Sequence, residues 1–131
     1  MRYDKKLFSE ISKIINKLIS EYYNELAGKK VTTGMVISYA SAGDFCRWNP
    51  HFHCIILEGG FDADNNFFYL PIGNTDKLTQ IFRQRVIELF VTKKLINENQ
   101  AINLLSWKHS GFSIDNSVVV FYLRKYIDLV F

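Results

Sequence analysis

Cysteine and histidine are both scarce in this chain of 131 residues: two cysteines and three histidines. Cys46 and Cys54 are eight positions apart. That spacing is no zinc pattern, and two cysteines make no disulfide framework. The expectation is reduced thiols in a cytoplasmic protein. No apolar run approaches the roughly 20 residues that a membrane-spanning helix needs, so a membrane partner is not expected. The opening MRYDKKLFSE mixes charges of both signs, unlike a secretory signal peptide. There is no internal repeat, no low-complexity tract and no linker, and the length fits a single domain over 1–131. Nor is there a strong charge of one sign. Sixteen Lys and Arg stand against 13 Asp and Glu, a net charge of +3. That basic lean permits a polyanionic partner without requiring one. With 48% hydrophobic and 22% charged residues, the composition is that of a globular domain.

The apolar periodicity divides the chain into elements. Over residues 4–27, Leu7, Ile11, Ile14, Ile15, Leu18, Ile19 and Tyr22 recur at helical steps, with Gly28 as the stop. VTTGMVISYA (31–40) is β-branched and predicts a strand, in which Gly34 marks a bulge or a close backbone approach. SAGDFCRWNP is a loop, and residues 51–58 form a strand closed by Gly59-Gly60. FDADNN is turn-like, FFYLPI is a strand, and the pair predicts an antiparallel hairpin. A helix capped by Asn74 or Thr75 follows, with Leu78, Ile81, Phe82, Leu89 and Phe90 on one face. A second helix spans roughly 97–106. SGFSIDNSVVVF returns to strand, and YLRKYIDLVF at the end fits a helix. This order predicts an α+β fold, a mostly antiparallel sheet with helices packed on one face.

Two of the three histidines sit together in WNPHFHCIILEGGF. Side chains alternate across a strand, so His51 and His53 share one face while Phe52, Cys54 and Ile56 take the other. Two imidazoles at this spacing can converge on one cation, with a third ligand from elsewhere and open positions for a substrate oxygen. They can equally be two half-buried sheet histidines making ordinary hydrogen bonds. Glu58 on the Phe52 face, the loop residues Asp44, Asp62 and Asp64, and His109 beside Ser110-Gly111 carry weaker signals. Tyr122 and Tyr126, four apart, lie on one face of a helix. A tyrosine can act as a covalent nucleophile; a buried face made by Tyr122, Tyr126 and Leu129 is the structural alternative.

Taken together, the blocks resemble a known family. WNPHFHCIILEGGF resembles the His-hydrophobic-His motif of rolling-circle (HUH) transposases, in the insertion-sequence branch where HPH-x-H is followed by GG. LSWKHSGFSIDNSVVV (105–120) resembles that branch's second distinctive block, and LTQIFRQRVIELF the helix between them. YLRKY matches its tyrosine motif more loosely. The resemblance covers roughly 100 residues, from the first strand to the last residue.

The resemblance implies an HUH-endonuclease-like fold and an enzyme that cuts one strand of DNA at insertion-sequence ends during DNA transposition. It implies that His51 and His53 bind Mg²⁺ or Mn²⁺ and that Tyr126, or Tyr122, is the catalytic nucleophile. Arg47, Trp48, Arg83, Arg85 and Lys108 are the candidate contacts to single-stranded DNA. Relatives carry an N-terminal cysteine-rich zinc-binding region and a longer connection ahead of the tyrosine motif, and neither stands in this sequence. A partial catalytic domain is therefore expected, with an inactive DNA-binding remnant as the alternative.

Overall fold

The structure, a computed structural model, describes residues 5–40, 51–108, 111–116, 119–121 and 124–130. At 40, 119–121, 124–126, 128 and 130 it describes the backbone alone. In chain order the elements are α1 (Lys5–Ala27), β1 (Met35–Ala40), β2 (His51–Leu57), β3 (Gly59–Phe61), β4 (Phe67–Tyr69), α2 (Asp76–Thr92), α3 (Glu98–Ser106), β5 (Ser113–Asp115), β6 (Val119–Phe121) and β7 (Arg124–Val130). Five strands form one antiparallel sheet, in the order β1-β2-β7-β5 with β6 also paired to β7. The fold is α+β, as the pattern of elements predicts.

Helix α1 buries Leu7, Phe8, Ile11, Ile15, Leu18, Ile19 and Tyr23, steps of three and four that make one continuous stripe. Gly28 follows it at φ +67°, the left-handed conformation that lets a helix end. The stripe lies on the sheet. Phe52, Cys54 and Ile56 of β2 are at most 1% exposed, and the Phe8 and Phe52 ring centroids are 5.7 Å apart. Leu78, Phe82 and Val86 of α2, Ile114 of β5, and Ile127 and Leu129 of β7 complete the same core. The helices thus cover the Phe52 face, and no described element covers the other. Helix α3 begins at a capping box, in which Asn97 accepts from the Gln100 backbone N–H and the Gln100 side chain accepts from that of Asn97.

Three sequence expectations are corrected. The final segment is strand β7, not a helix. Ile127 and Leu129 alternate inward and stand opposite Cys54 and Phe52 in the register. A helix here would leave one edge of β2 without ladder partners, a cost that local helical spacing cannot offset. The hairpin is also different: β3 and β4 pair with each other as a separate two-stranded sheet, while β2 pairs β1 and β7. Gly59 makes the break, at φ +151°. Finally, the single strand expected over 110–121 is two short strands, β5 and β6.

Candidate functional site

His51 and His53 open β2, which has β1 on one side and β7 on the other. Their rings are nearly parallel, 7° between planes, with centroids 6.2 Å apart. Both are half-buried and lie on the face that the helices leave uncovered. Their neighbours follow from the register, because directly opposed residues of an antiparallel pair share a face. His51 stands between Ala40 and Val130. His53 stands between Ser38 and Asp128, and Asp128 is opposed in turn by Asp115. One row across four strands therefore reads Ser38, His53, Asp128, Asp115. The next row reads Val36, Ile55, Tyr126, and in it Val36 and Ile55 are exposed.

Tyr126 is placed by β7, diagonally from His53 across the β2–β7 pair. Diagonal neighbours in a sheet are about 7–8 Å apart at the backbone. The residue expected from a helical tyrosine motif thus lies on a strand, in the row next to that of His53. Tyr122 lies outside the described residues, as do Arg47, Trp48, Asp44, Cys46 and His109.

The other candidates are dispersed. Arg83 is not at the surface. It is 6% exposed, and its Nη2 donates to the carbonyl oxygens of Leu104 and Trp107. The Leu104 carbonyl also accepts from the Trp107 backbone N–H at 3.3 Å, so the guanidinium joins the C-terminal end of α3. These bonds hold the guanidinium at the end of α3. Arg85 forms an ion pair with Glu21 of α1. Lys108, just past α3, is exposed. Asp62 and Asp64 belong to the β3–β4 turn, where Asp62 accepts from the backbone N–H groups of Asp64 and Asn66 and from Lys29 Nζ. The bond from Asn66 is the main reason its carboxyl is held below the usual carboxylate range, with Lys29 next.

Glu58 is buried on the helix side, beside Tyr23. Burial raises the Tyr23 phenol above its ordinary range, with the Glu58 and Tyr22 charges adding to the effect and a backbone bond at Gly59 opposing it. The Tyr23 hydroxyl donates to the Leu57 carbonyl at 2.7 Å, tying α1 to the end of β2. Tyr23 therefore has a structural task. A groove of about 280 Å³ between α1 and α2, lined by Leu18, Tyr22, Leu26, Leu78 and Ile81, is also on the helix side.

The histidine row is where the chemistry concentrates. Imidazoles bind transition metals well, whereas Mg²⁺ and Mn²⁺ favour oxygen ligands. Two rings alone are an incomplete site for either, and among the described residues no group of three or more His, Cys, Asp or Glu forms a metal cage. By register, Asp128 and Asp115 stand in the same row. No sequence signal marks them, because the register that aligns them with His53 is set by strand pairing over more than 60 residues of intervening chain. Among the described residues, no helix is long and apolar enough to cross a membrane. Compared with family models, with curated proteins and with solved structures, the chain gives no match.

Proposed function

We propose that this chain is an HUH-type transposase domain that nicks single-stranded DNA at insertion-sequence ends and transfers the strand. The observation that carries the reading is the pair of parallel imidazoles on the uncovered face of β2, with Tyr126 on the neighbouring strand. It joins the motif resemblance to a surface where a nucleic-acid strand can lie.

His51 and His53 would hold Mg²⁺ or Mn²⁺, with an oxygen ligand from the same face. The bound cation would polarise the scissile phosphate and offset the charge that builds as two oxygens share phosphorus. The Tyr126 or Tyr122 hydroxyl attacks phosphorus. The bond from phosphorus to the 3′ oxygen breaks, and that oxygen leaves with a proton. The products are a 5′-phosphotyrosine and a free 3′-hydroxyl, so the phosphodiester energy is kept for strand transfer. Lys108, Arg47 and Trp48 grip backbone and bases.

A second reading, an inactive DNA-binding remnant, is favoured by one observation: Tyr126 is on a strand, not on the helix that the tyrosine motif requires. Incubation with a labelled single-stranded oligonucleotide library and Mn²⁺, followed by denaturing electrophoresis, separates the two. Covalent adduct that disappears in Tyr126→Phe, or in Tyr122→Phe, supports the enzyme and identifies its nucleophile. Binding without adduct at any metal concentration leaves only the remnant. No binding at all removes both.

A further inference from the structure

Helix α1 keeps its acids on the α2 side. Glu10, Glu21 and Glu25 are ion-paired with Lys93, Arg85 and Lys77 of α2 and its C-cap. Lys13 and Lys17 of the same helix are exposed. Lys17 lies 4.0 Å from Glu21, at the limit of an ion pair, and Lys13 has no ionic partner among the described residues. With Ser9, Ser12 and Asn16 they line an open groove of about 580 Å³, whose wall on the sheet side is Ile37 of β1.

Strand β1 is an edge: among the described residues it pairs with β2 alone. Helix α1 lies along it in the opposite direction. Phe8 stacks on Tyr39 at 4.6 Å, and the Tyr23 hydroxyl reaches the Leu57 carbonyl, level with Gly34. The Leu57 N–H donates to the Gly34 carbonyl, so Gly34, Val36, Ser38 and Ala40 turn their backbone groups toward β2. Met35, Ile37 and Tyr39 turn theirs outward. MVISYA has no Lys, no Pro and no bulge, the devices that usually close a sheet edge.

We infer that the β1 edge and the α1 groove together bind an extended acidic polypeptide segment, which joins the sheet as a further strand beside β1. The edge offers backbone donors and acceptors in alternation, a pattern that another polypeptide matches. A phosphodiester backbone carries acceptors alone and does not match it. A second copy of this chain is disfavoured by charge. Pairing β1 with β1 about a two-fold axis would bring Lys13 and Lys17 of both copies to one seam.

The same geometry sets the pattern of the segment. Strand side chains alternate, so acids at every second position face Lys13 and Lys17. Four residues of helix advance about 6 Å and two of strand about 7 Å, so the charges meet in step. The residues between the acids lie beside Val36, which is 67% exposed on the opposite face, and apolar side chains fit there.

A dye-labelled peptide of alternating Glu and Val, about eight residues long, added to the full chain is the probe. It should bind, more weakly as salt rises. The Ile37 and Tyr39 amides should gain protection from hydrogen exchange, while those of Val36 and Ser38, already bonded to β2, change little. The double variant Lys13→Ala, Lys17→Ala should lose affinity about tenfold, since one exposed ion pair is worth up to about fivefold. Lys30→Ala, in the exposed turn after α1, should bind as wild type. The same peptide methylated on alternate backbone nitrogens keeps its charge but cannot pair as a strand, and should bind about tenfold more weakly or worse.

Ile37 and Tyr39 amides that already exchange slowly in the free chain would mean a closed edge and overturn the assignment. So would a Lys-Val peptide that binds as tightly as the Glu-Val one, a methylated peptide that binds like its parent, or no peptide binding at about millimolar concentration. A dimer that strengthens in the double lysine variant would assign the edge to a second copy. Oligothymidylate binding that this variant loses, without peptide binding, would assign the groove to nucleic acid. Either result likewise overturns the acidic-segment assignment.

Discussion

A single methyl group added at Gly59 would place a carbon 1.9 Å from the Phe68 carbonyl oxygen, at a φ of +151° that side chains rarely adopt. Sterics and backbone strain therefore act together there. Gly59→Ala should destabilise the fold by about 3 kcal/mol or more, read as a fall in the urea midpoint. Gly73→Ala is the control, since nothing lies within 4 Å of its added carbon. Equal midpoints for the two variants would show that the β2–β3 break does not depend on glycine. The same residue illustrates what is readable locally. Gly59-Gly60 ends β2 as the sequence suggests, and the i, i+2 spacing of His51 and His53 puts both rings on one face. For the histidines, removal should cost little stability, because neither fills the core. His51→Ala and His53→Ala should each shift the melting temperature by no more than a typical surface substitution, and a fall as large as that of a core truncation would mean the rings are structural.

At the scale of elements, legibility follows the range of the forces involved. Helices α1, α2 and α3 are set by apolar periodicity and caps within a few residues, and their bounds fall close to expectation. β7 is different. YLRKYIDLVF carries spacing compatible with a helix, and only the open edge of β2, some 70 residues earlier, makes it a strand. No local pattern contains that information. The consequence reaches the site: strand pairing puts Tyr126 in the row next to that of His53, and the Arg83 guanidinium bonds to carbonyls at the end of α3. The β3–β4 turn is local again, and it has a pH signature. The Asp62 carboxyl is held below its ordinary value by the bonds it accepts. A depressed carboxyl stabilises the native state above its unfolded pKa, and that contribution is lost as pH falls through the lower, folded value. Asp62→Ala should therefore accelerate hydrogen exchange at the Asp64 and Asn66 amides near neutral pH. The melting-temperature gap between variant and wild type should close as the pH drops below the ordinary carboxylate value of 3.8. A gap that is constant down to the acid transition would assign the turn's stability to something other than this carboxylate.

For the whole molecule, the sheet has one face covered by the helices and one that no described element covers. One face is spent on the core, from Phe8 through Phe52 to Leu129. The other carries the histidines, the aspartate row and the apolar residues Val36 and Ile55. Such a face can accept a strand whose bases rest on apolar surface and whose phosphates meet cations, bound or side-chain. The net charge of +3 is too small to hold a polyanion by bulk attraction, so the proposed binding of single-stranded DNA would depend on a few placed contacts. Salt titration counts them. Each phosphate contact to a single strand contributes about −0.7 to the slope of log affinity against log salt, so three contacts predict a slope near −2. Measured in chelator, the slope reports side-chain contacts alone. Lys108→Ala should then make it shallower by about 0.7, the share of one contact. If affinity for single-stranded DNA is flat between low and moderate salt, no phosphate is being gripped, and neither the enzyme nor the binding remnant survives as a reading of this chain.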